Sequence, residues 1–202
     1  MKIALIGATG SVGSRVAAEA LARGHRVTAV SRHPDKVEAQ PGLQAVAGDL
    51  SDPRKLAEAL KDHDVVVSAV RFRDYQPAQL LQAYRASGAG RLVVVGGAGS
   101  LKVASGALLA ETPSFPEAVK PEAQAGQNVL DALRGSDVNW TFLSPSALFA
   151  PGKRTGSYRL GADDLLIDAD GKSWISQEDY AIALVDELER NAHPRQRLTV
   201  GH

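Results

Sequence analysis

Residues 3–13 read IALIGATGSVG, a short apolar run followed by glycines at positions 7, 10 and 13 with only small residues between them. Backbone this bare suits an anion. After a first strand, Gly7 can turn the chain tightly, Gly10 lets the backbone approach a pyrophosphate, and Gly13 lets the next helix press close to the strand. That helix points its free amides at the same anion, with Thr9, Ser11 and Val12 lying between the glycines. A second feature concerns which dinucleotide is held. An NAD site usually carries Asp or Glu about 20 residues beyond the glycines to accept from the ribose hydroxyls. Here the corresponding residues are Ser31, Arg32 and His33. Arg32 can fork onto a 2'-phosphate where a carboxylate would repel it, so NADP(H) is expected over NAD(H), with Ser31 and Thr9 as hydroxyl partners.

Other chemistry finds little footing. Histidines 25, 33, 63, 193 and 202 show no ligand spacing, and no metal is expected. Asp163, Asp164, Asp168 and Asp170 lack the order of a calcium loop and read as a solvated turn. No G-x-S-x-G stretch supports a hydrolase elbow. Lys plus Arg and Asp plus Glu are both 23, so no net field attracts nucleic acid or an anionic membrane, and aromatics at 5% leave little for bases to stack on. Trp174 and Phe142 read as core or pocket walls. Cysteine is absent, which removes disulfides, thiolate metal sites and thiol nucleophiles together. The opening residues suit neither a signal peptide nor a membrane span, and a cytoplasmic monomer or homodimer acting on a small-molecule acceptor is expected.

The elements that must position these residues alternate. Strands are expected at 2–6, 26–30, 43–47, 64–69, 91–96, 139–144 and 197–200, mostly continuous apolar runs buried on both faces. Helices are expected at 14–23 and 77–87, each stopped by a glycine, at 53–61 with Asp52 as cap and Pro53 at the first position, and at 122–133 and 178–189. Ser176 with Asp179 resembles a capping box. Strand and helix in alternation demand a parallel sheet with right-handed crossovers, so the fold class is α/β, a doubly wound Rossmann sheet with helices on both faces. The chain 1–202 reads as a single domain. Its one shift in composition, over 151–176, suggests a small substrate-side lobe.

GATGSVG, with glycines three apart, resembles the short-chain dehydrogenase/reductase superfamily. The likeness extends through VSRHP, GDLSD, VVGGAGSL, WTFLSPS and SWISQEDYAIALVDELE to the atypical, NmrA-like branch of NAD(P)H-binding proteins, close to flavin and biliverdin reductases. The resemblance implies that Asp49 and Leu50 border the adenine, with Asp49 accepting from its amino group. It further implies that Ser68, Ala69 and Val70 line the ribose and pyrophosphate path, that Gly96 and Gly97 follow the fifth strand beside the cofactor, and that Ser144, Pro145, Ser146 and Ala147 meet the nicotinamide end.

Short-chain dehydrogenases usually protonate a carbonyl oxygen through Tyr, with Lys four residues later. Residues four beyond Tyr75, Tyr84, Tyr158 and Tyr180 are Gln79, Gly88, Ala162 and Leu184, so that pair is missing. Its absence argues against ordinary alcohol oxidation but not against hydride transfer to a flavin, quinone or conjugated acceptor that collects its proton from water. Ser100 and Lys120 are the polar candidates near the reacting ring, Lys120 as a ribose contact. Arg71, Arg73, Lys153 and Arg154 hint at an anionic substrate group or at solubilising charge. A sensor that binds NADP(H) without turnover, and a sugar-nucleotide epimerase, are the alternatives.

Overall fold

The computed structural model describes residues 1–202. Five parallel strands build the heart of the sheet: β1 (Lys2–Ile6), β2 (Arg26–Ser31), β3 (Leu43–Ala47), β4 (Val65–Ser68) and β5 (Leu92–Val95). β6 (Trp140–Pro145) follows, then the short β7 (Leu148–Ala150), β8 (Arg159–Gly161) and β9 (Trp174–Ser176), and finally β10 (Gln196–Gly201). The eight-stranded sheet runs β3-β2-β1-β4-β5-β6-β10-β8, and β7 pairs with β9 apart from it. All its pairings are parallel except β10 with β8. Thus the segment 151–176 contributes an antiparallel edge strand as well as half of the separate ribbon.

The apolar strands divide their side chains between two cores. α1 (Ser11–Ala22) and α5 (Gln177–Arg190) cover one face, where Ile3, Leu5, Val67 and Leu198 meet Val16, Tyr180 and Leu184. α2 (Pro53–Leu60), α3 (Pro77–Ser87) and α4 (Lys120–Arg134) cover the other, where Ala4, Val66 and Phe142 meet Leu56, Leu80 and Leu130. Burial on both faces is why these strands read as unbroken apolar runs. Helix ends follow local chemistry: Asp52 accepts from Lys55 N at 3.2 Å, Pro53 opens α2, and Gly88 closes α3 at φ 69°. α1 begins three residues before the expected Ser14, because Gly10 caps it and Gly13 lies within its first turn. The expected capping box is half made. Ser176 Oγ accepts from Asp179 N at 3.0 Å, but the Asp179 carboxylate turns to Thr155 and Gly156, taking Thr155 N at 2.9 Å and Gly156 N at 2.8 Å. Those bonds fasten the segment after β7 onto α5.

At the amino-terminal end of β5, Arg91 is buried against Glu187 of α5 and donates also to Thr141 Oγ1 at 2.5 Å, while His193 Nδ1 lies 2.6 Å from Glu187. Burial raises the Glu187 carboxyl, yet His193 and Arg91 outweigh it, and the net shift is downward. A carboxyl depressed in the folded state adds stability above its unfolded value and loses it as pH falls through the folded value. Glu187→Gln is therefore expected to cost about 3 kcal/mol at neutral pH, leaving Arg91 buried without its partner, and to flatten the acid limb of the stability curve. Urea titrations from neutral to acid pH check both effects; an unchanged acid limb contradicts the assignment.

Candidate functional site

The chain leaves β1 toward β2 and leaves β4 toward β5, so the strand order reverses between β1 and β4. Beyond the carboxyl ends of strands at such a switch point lies the crevice where doubly wound sheets bind ligands. Here a cleft of about 380 Å³ is lined by Ile6, Gly7, Thr9 and Gly10 at and beyond the end of β1, by Val30, Ser31 and Arg32 at and beyond the end of β2, and by Gly48, Asp49 and Leu50 after β3. Ala69, Val70, Arg71 and Asp74 close it on the β4 side.

The three glycines do different work. Gly7 sits at φ 86°, and a Cβ there would stand 2.6 Å from Ala69 O. A Cβ on Gly13 would stand 2.1 Å from Gly7 O, so α1 can press onto the loop only where this side chain is missing. Gly10 has an ordinary φ of −74°, and a Cβ there would meet only Gly7 O at 3.3 Å. Its bareness serves the cleft rather than the packing. The first intrahelical bond is Ser14 N to Gly10 O at 2.9 Å, which leaves the amides of Ser11, Val12 and Gly13 at the open end of the helix. The side chains of Ser11 and Val12 turn elsewhere: Ser11 Oγ donates to Gln177 at 2.6 Å and Val12 packs on the core.

Arg32 is exposed, lines the cleft, and forms neither an ion pair nor a hydrogen bond with any group of the chain. Arg71, on the opposite wall, is likewise unpaired. Ser31 Oγ accepts from His33 N at 3.1 Å and keeps its proton free, and Asp49 Oδ1 accepts from Ser51 N at 3.0 Å, leaving Oδ2 unused. Two free guanidinium groups, a hydroxyl and a half-used carboxylate thus surround a helix N-terminus whose glycines admit a pyrophosphate.

The profile of the NAD(P)H-binding family matches residues 7–191. The chain belongs to the NAD(P)H-binding family. It is 44% identical over 211 residues to an uncharacterized protein, YwnB, of Bacillus subtilis (strain 168), covering 99% of this chain and 98% of that one. A solved structure from Bacteroides thetaiotaomicron, whose name proposes an epimerase, is 41% identical with a TM-score of 0.93, covering 100% of this chain and 96% of that one. Another, from Streptococcus pneumoniae TIGR4, has a name that proposes an NADH-flavin reductase; it is 38% identical with a TM-score of 0.85, covering 100% and 99%. These relatives fit the NmrA-like branch indicated by the sequence, and the matched span makes this an NAD(P)H-binding, oxidoreductase-like fold.

Within this family member the remaining expected residues lie off the cleft. Ser68 and Ser144 are fully enclosed, and neither hydroxyl has a partner. Pro145 is buried at the end of β6, Ser146 Oγ donates to Val200 O at 3.1 Å, and Ala147 N donates to Ser173 Oγ at 3.1 Å. A Cβ on Gly96 would stand 2.5 Å from the Phe142 ring, and one on Gly97 3.5 Å from that of Phe72, so both serve close packing behind the loop after β5. Ser100 is 7% exposed, and its carbonyl and hydroxyl oxygens both accept from Arg197 at 3.1 Å. Lys120 pairs with Glu117 at 2.9 Å and borders a separate depression with Gly99, Glu111 and Gln124. Of the four cations considered for a substrate anion, Arg154 is taken by Glu19 at 3.0 Å and Arg73 by Glu122 at 3.4 Å. Arg71 alone of them lines the cleft. The acidic cluster disperses: Asp163 goes to Arg197 and Arg134, while Asp168 accepts from Lys172 N at 2.8 Å and closes a turn.

No tyrosine is tuned as an acid. Burial raises Tyr75, Tyr84 and Tyr180, and Tyr158 is pushed up to about 12 by burial and by Asp186, to which it donates. The Tyr–Lys device works in the opposite direction, by lowering the phenol's pKa.

Glu122 was not legible as a site residue. Its carboxylate reaches back from α4 to accept from Phe72 N at 2.7 Å and Arg73 N at 3.3 Å, and Phe72 rests on Gly126, where a Cβ would stand 2.9 Å from its ring. These contacts hold the segment that presents Arg71 and Asp74 to the cleft. Glu122→Ala is expected to weaken NADPH binding about tenfold with the fold retained, and Glu122→Gln to recover part of it. Calorimetric titration beside a circular-dichroism melt checks this; unchanged affinity in the alanine variant removes Glu122 from the account.

Proposed function

We propose that this protein is a cytoplasmic, NADPH-dependent reductase that delivers hydride to a flavin, quinone or conjugated small molecule. The observation that carries the reading is Arg32, an unpaired guanidinium in the cleft where NAD-preferring sites usually place a carboxylate. The cradle fits the cofactor: side chains on Gly7 or Gly13 would collide with backbone at 2.6 and 2.1 Å, whereas Gly10 is open toward the cleft. In this reading Gly7, Gly10 and the first amides of α1 bind the pyrophosphate, and Thr9 and Ser31 add hydroxyls. Arg32, with Arg71 opposite, neutralises the 2'-phosphate. Asp49 accepts from the adenine amino group and Leu50 packs beside it. Ala69 and Val70 follow the ribose path, and the segment 144–147 at the end of β6 stands toward the nicotinamide.

When bound, NADPH supplies a hydride from its nicotinamide ring. The protein's part is to hold that ring against an acceptor and to limit bulk water, since burial pushes all four tyrosines away from proton donation. An acceptor that becomes protonated from solvent is what such a site can serve. Steady-state NADPH consumption with flavin mononucleotide and small quinones tests the proposal: saturable turnover supports it. Tight NADPH binding with no turnover on any acceptor favours instead a sensor that reports the NADP(H) state to a partner, a reading the untuned tyrosines also suit. They weigh against an epimerase, which needs a phenol to move protons at a sugar carbinol.

A further inference from the structure

At the opposite edge of the sheet from the cleft, where β6 and β10 begin, lies an open depression of about 340 Å³ lined in part by Arg134, Trp140, Asp163, Arg195 and Arg197. Three guanidinium groups meet one carboxylate there. Asp163 takes Arg197, whose side chain is 3% exposed, and Arg134 at 3.2 Å. Arg197 also donates to Ser100, as described above. Arg195 donates to Asp137 O at 3.2 Å and Ser136 O at 3.0 Å but forms no ion pair, and its Nε has no acceptor. A flanking carboxylate, Asp131, stands 3.7 Å from Arg134 and already accepts from Gln127 at 2.8 Å. Asp137 also faces Arg195, but Arg85 pairs with it at 2.7 Å, so with that pair and Asp131 counted one positive charge is left uncompensated; among the lining groups alone the excess is two.

Trp140 forms a wall of the same depression. It is 3% exposed, and its carbonyl accepts from Arg195 N at 2.6 Å, which ties the start of β6 to the unpaired arginine. Guanidinium forks match tetrahedral oxyanions in geometry. Excess charge and unused guanidinium N–H groups converge on one kind of occupant.

We infer that this depression binds an oxyanion of the phosphate class, either free phosphate or a phosphomonoester. Its location at the amino ends of β6 and β10 separates it from the cofactor cleft at the carboxyl ends of β1, β2 and β4. The chain contains two tryptophans, so Trp174→Phe leaves Trp140 as the one indole reporter. Its emission is to be titrated with inorganic phosphate and with methyl phosphate at fixed ionic strength, chloride serving as the matched salt. The expected result is a saturable change for at least one phosphate and none for chloride, with the midpoint weakened about tenfold in Arg195→Gln and in Arg134→Gln and unchanged in Arg32→Asp. A tighter midpoint for methyl phosphate identifies an esterified ligand, and a tighter one for inorganic phosphate identifies the free ion. Broadening of the ligand's phosphorus resonance gives a second readout that needs no tryptophan substitution, and Arg134, on the surface of α4, can be changed without touching the backbone contacts of Arg195. No saturable response to either phosphate in both readouts, an equal response to chloride, or midpoints unaffected in folded Arg134→Gln overturns the inference. Because Arg32→Asp is the control, loss of the cofactor assignment would leave this result readable.

Discussion

Gly13→Ala is expected to cost about 3 kcal/mol of folding stability, the upper end of the overpacking range, and to weaken NADPH binding by more than about tenfold. The added methyl would lie 2.1 Å from Gly7 O and 2.9 Å from Gly7 C, and neither backbone atom can yield without displacing the loop. Gly7 itself is anchored by donation to Val30 O at 3.3 Å, so a shift there moves the floor of the cleft. Gly10→Ala makes the informative contrast. Its methyl meets a single protein atom at 3.3 Å and its φ is ordinary, so stability should fall by less than about 1 kcal/mol while affinity falls as strongly as in Gly13→Ala. Urea unfolding and calorimetric titration of both variants check this separation of packing from access. Wild-type stability in Gly13→Ala, or full affinity in Gly10→Ala, contradicts it.

Arg32→Asp should weaken NADPH binding about a hundredfold and NADH binding by less than about threefold. The substitution removes a charge-assisted pair to the 2'-phosphate and places a like charge in its stead, while offering the ribose hydroxyls of NADH an acceptor. Stability should hardly change, because Arg32 is exposed and pairs with nothing in the chain. Competition titrations with the two cofactors read the difference directly. Equal losses for both would mean that Arg32 is solvated charge and that the preference lies elsewhere.

Much of this architecture was legible because the relevant signals are local. The apolar runs of β1 and β3 coincide with their sequence-predicted bounds, and α3 begins at its proline and ends before its glycine as its ends imply. The lining of the cleft was legible for the same reason: Gly7, Thr9, Gly10, Ser31, Arg32, Asp49, Leu50, Ala69 and Val70 each end or closely follow a strand and so arrive at one edge of the sheet. Gly48 was missed, although it precedes the singled-out Asp49; its bareness answers to Val30 Cγ1 on the neighbouring strand, 2.4 Å from where its Cβ would be. Contacts made across the fold were beyond reach. Glu122 meets Phe72 from 50 residues away, Arg197 meets Ser100 from 97, and Asp179 abandons its capping partner for Thr155, 24 residues earlier. Each choice depends on which loops the sheet brings together, and no spacing along the chain encodes that. Ser100 and Lys120 show the converse: their residue types suit chemistry, but Arg197 from across the fold engages the first and Glu117, three residues earlier, the second.

The most direct test of the account is a single-turnover experiment without oxygen, mixing the NADPH-loaded protein with flavin mononucleotide or a small quinone, with and without deuterium at the transferring position of the nicotinamide. One acceptor should be reduced for each NADPH consumed, at a rate that saturates in acceptor and slows on deuteration. NADPH that binds tightly yet stays unoxidised in the presence of every acceptor would contradict it, leaving a protein that binds the cofactor without using its hydride.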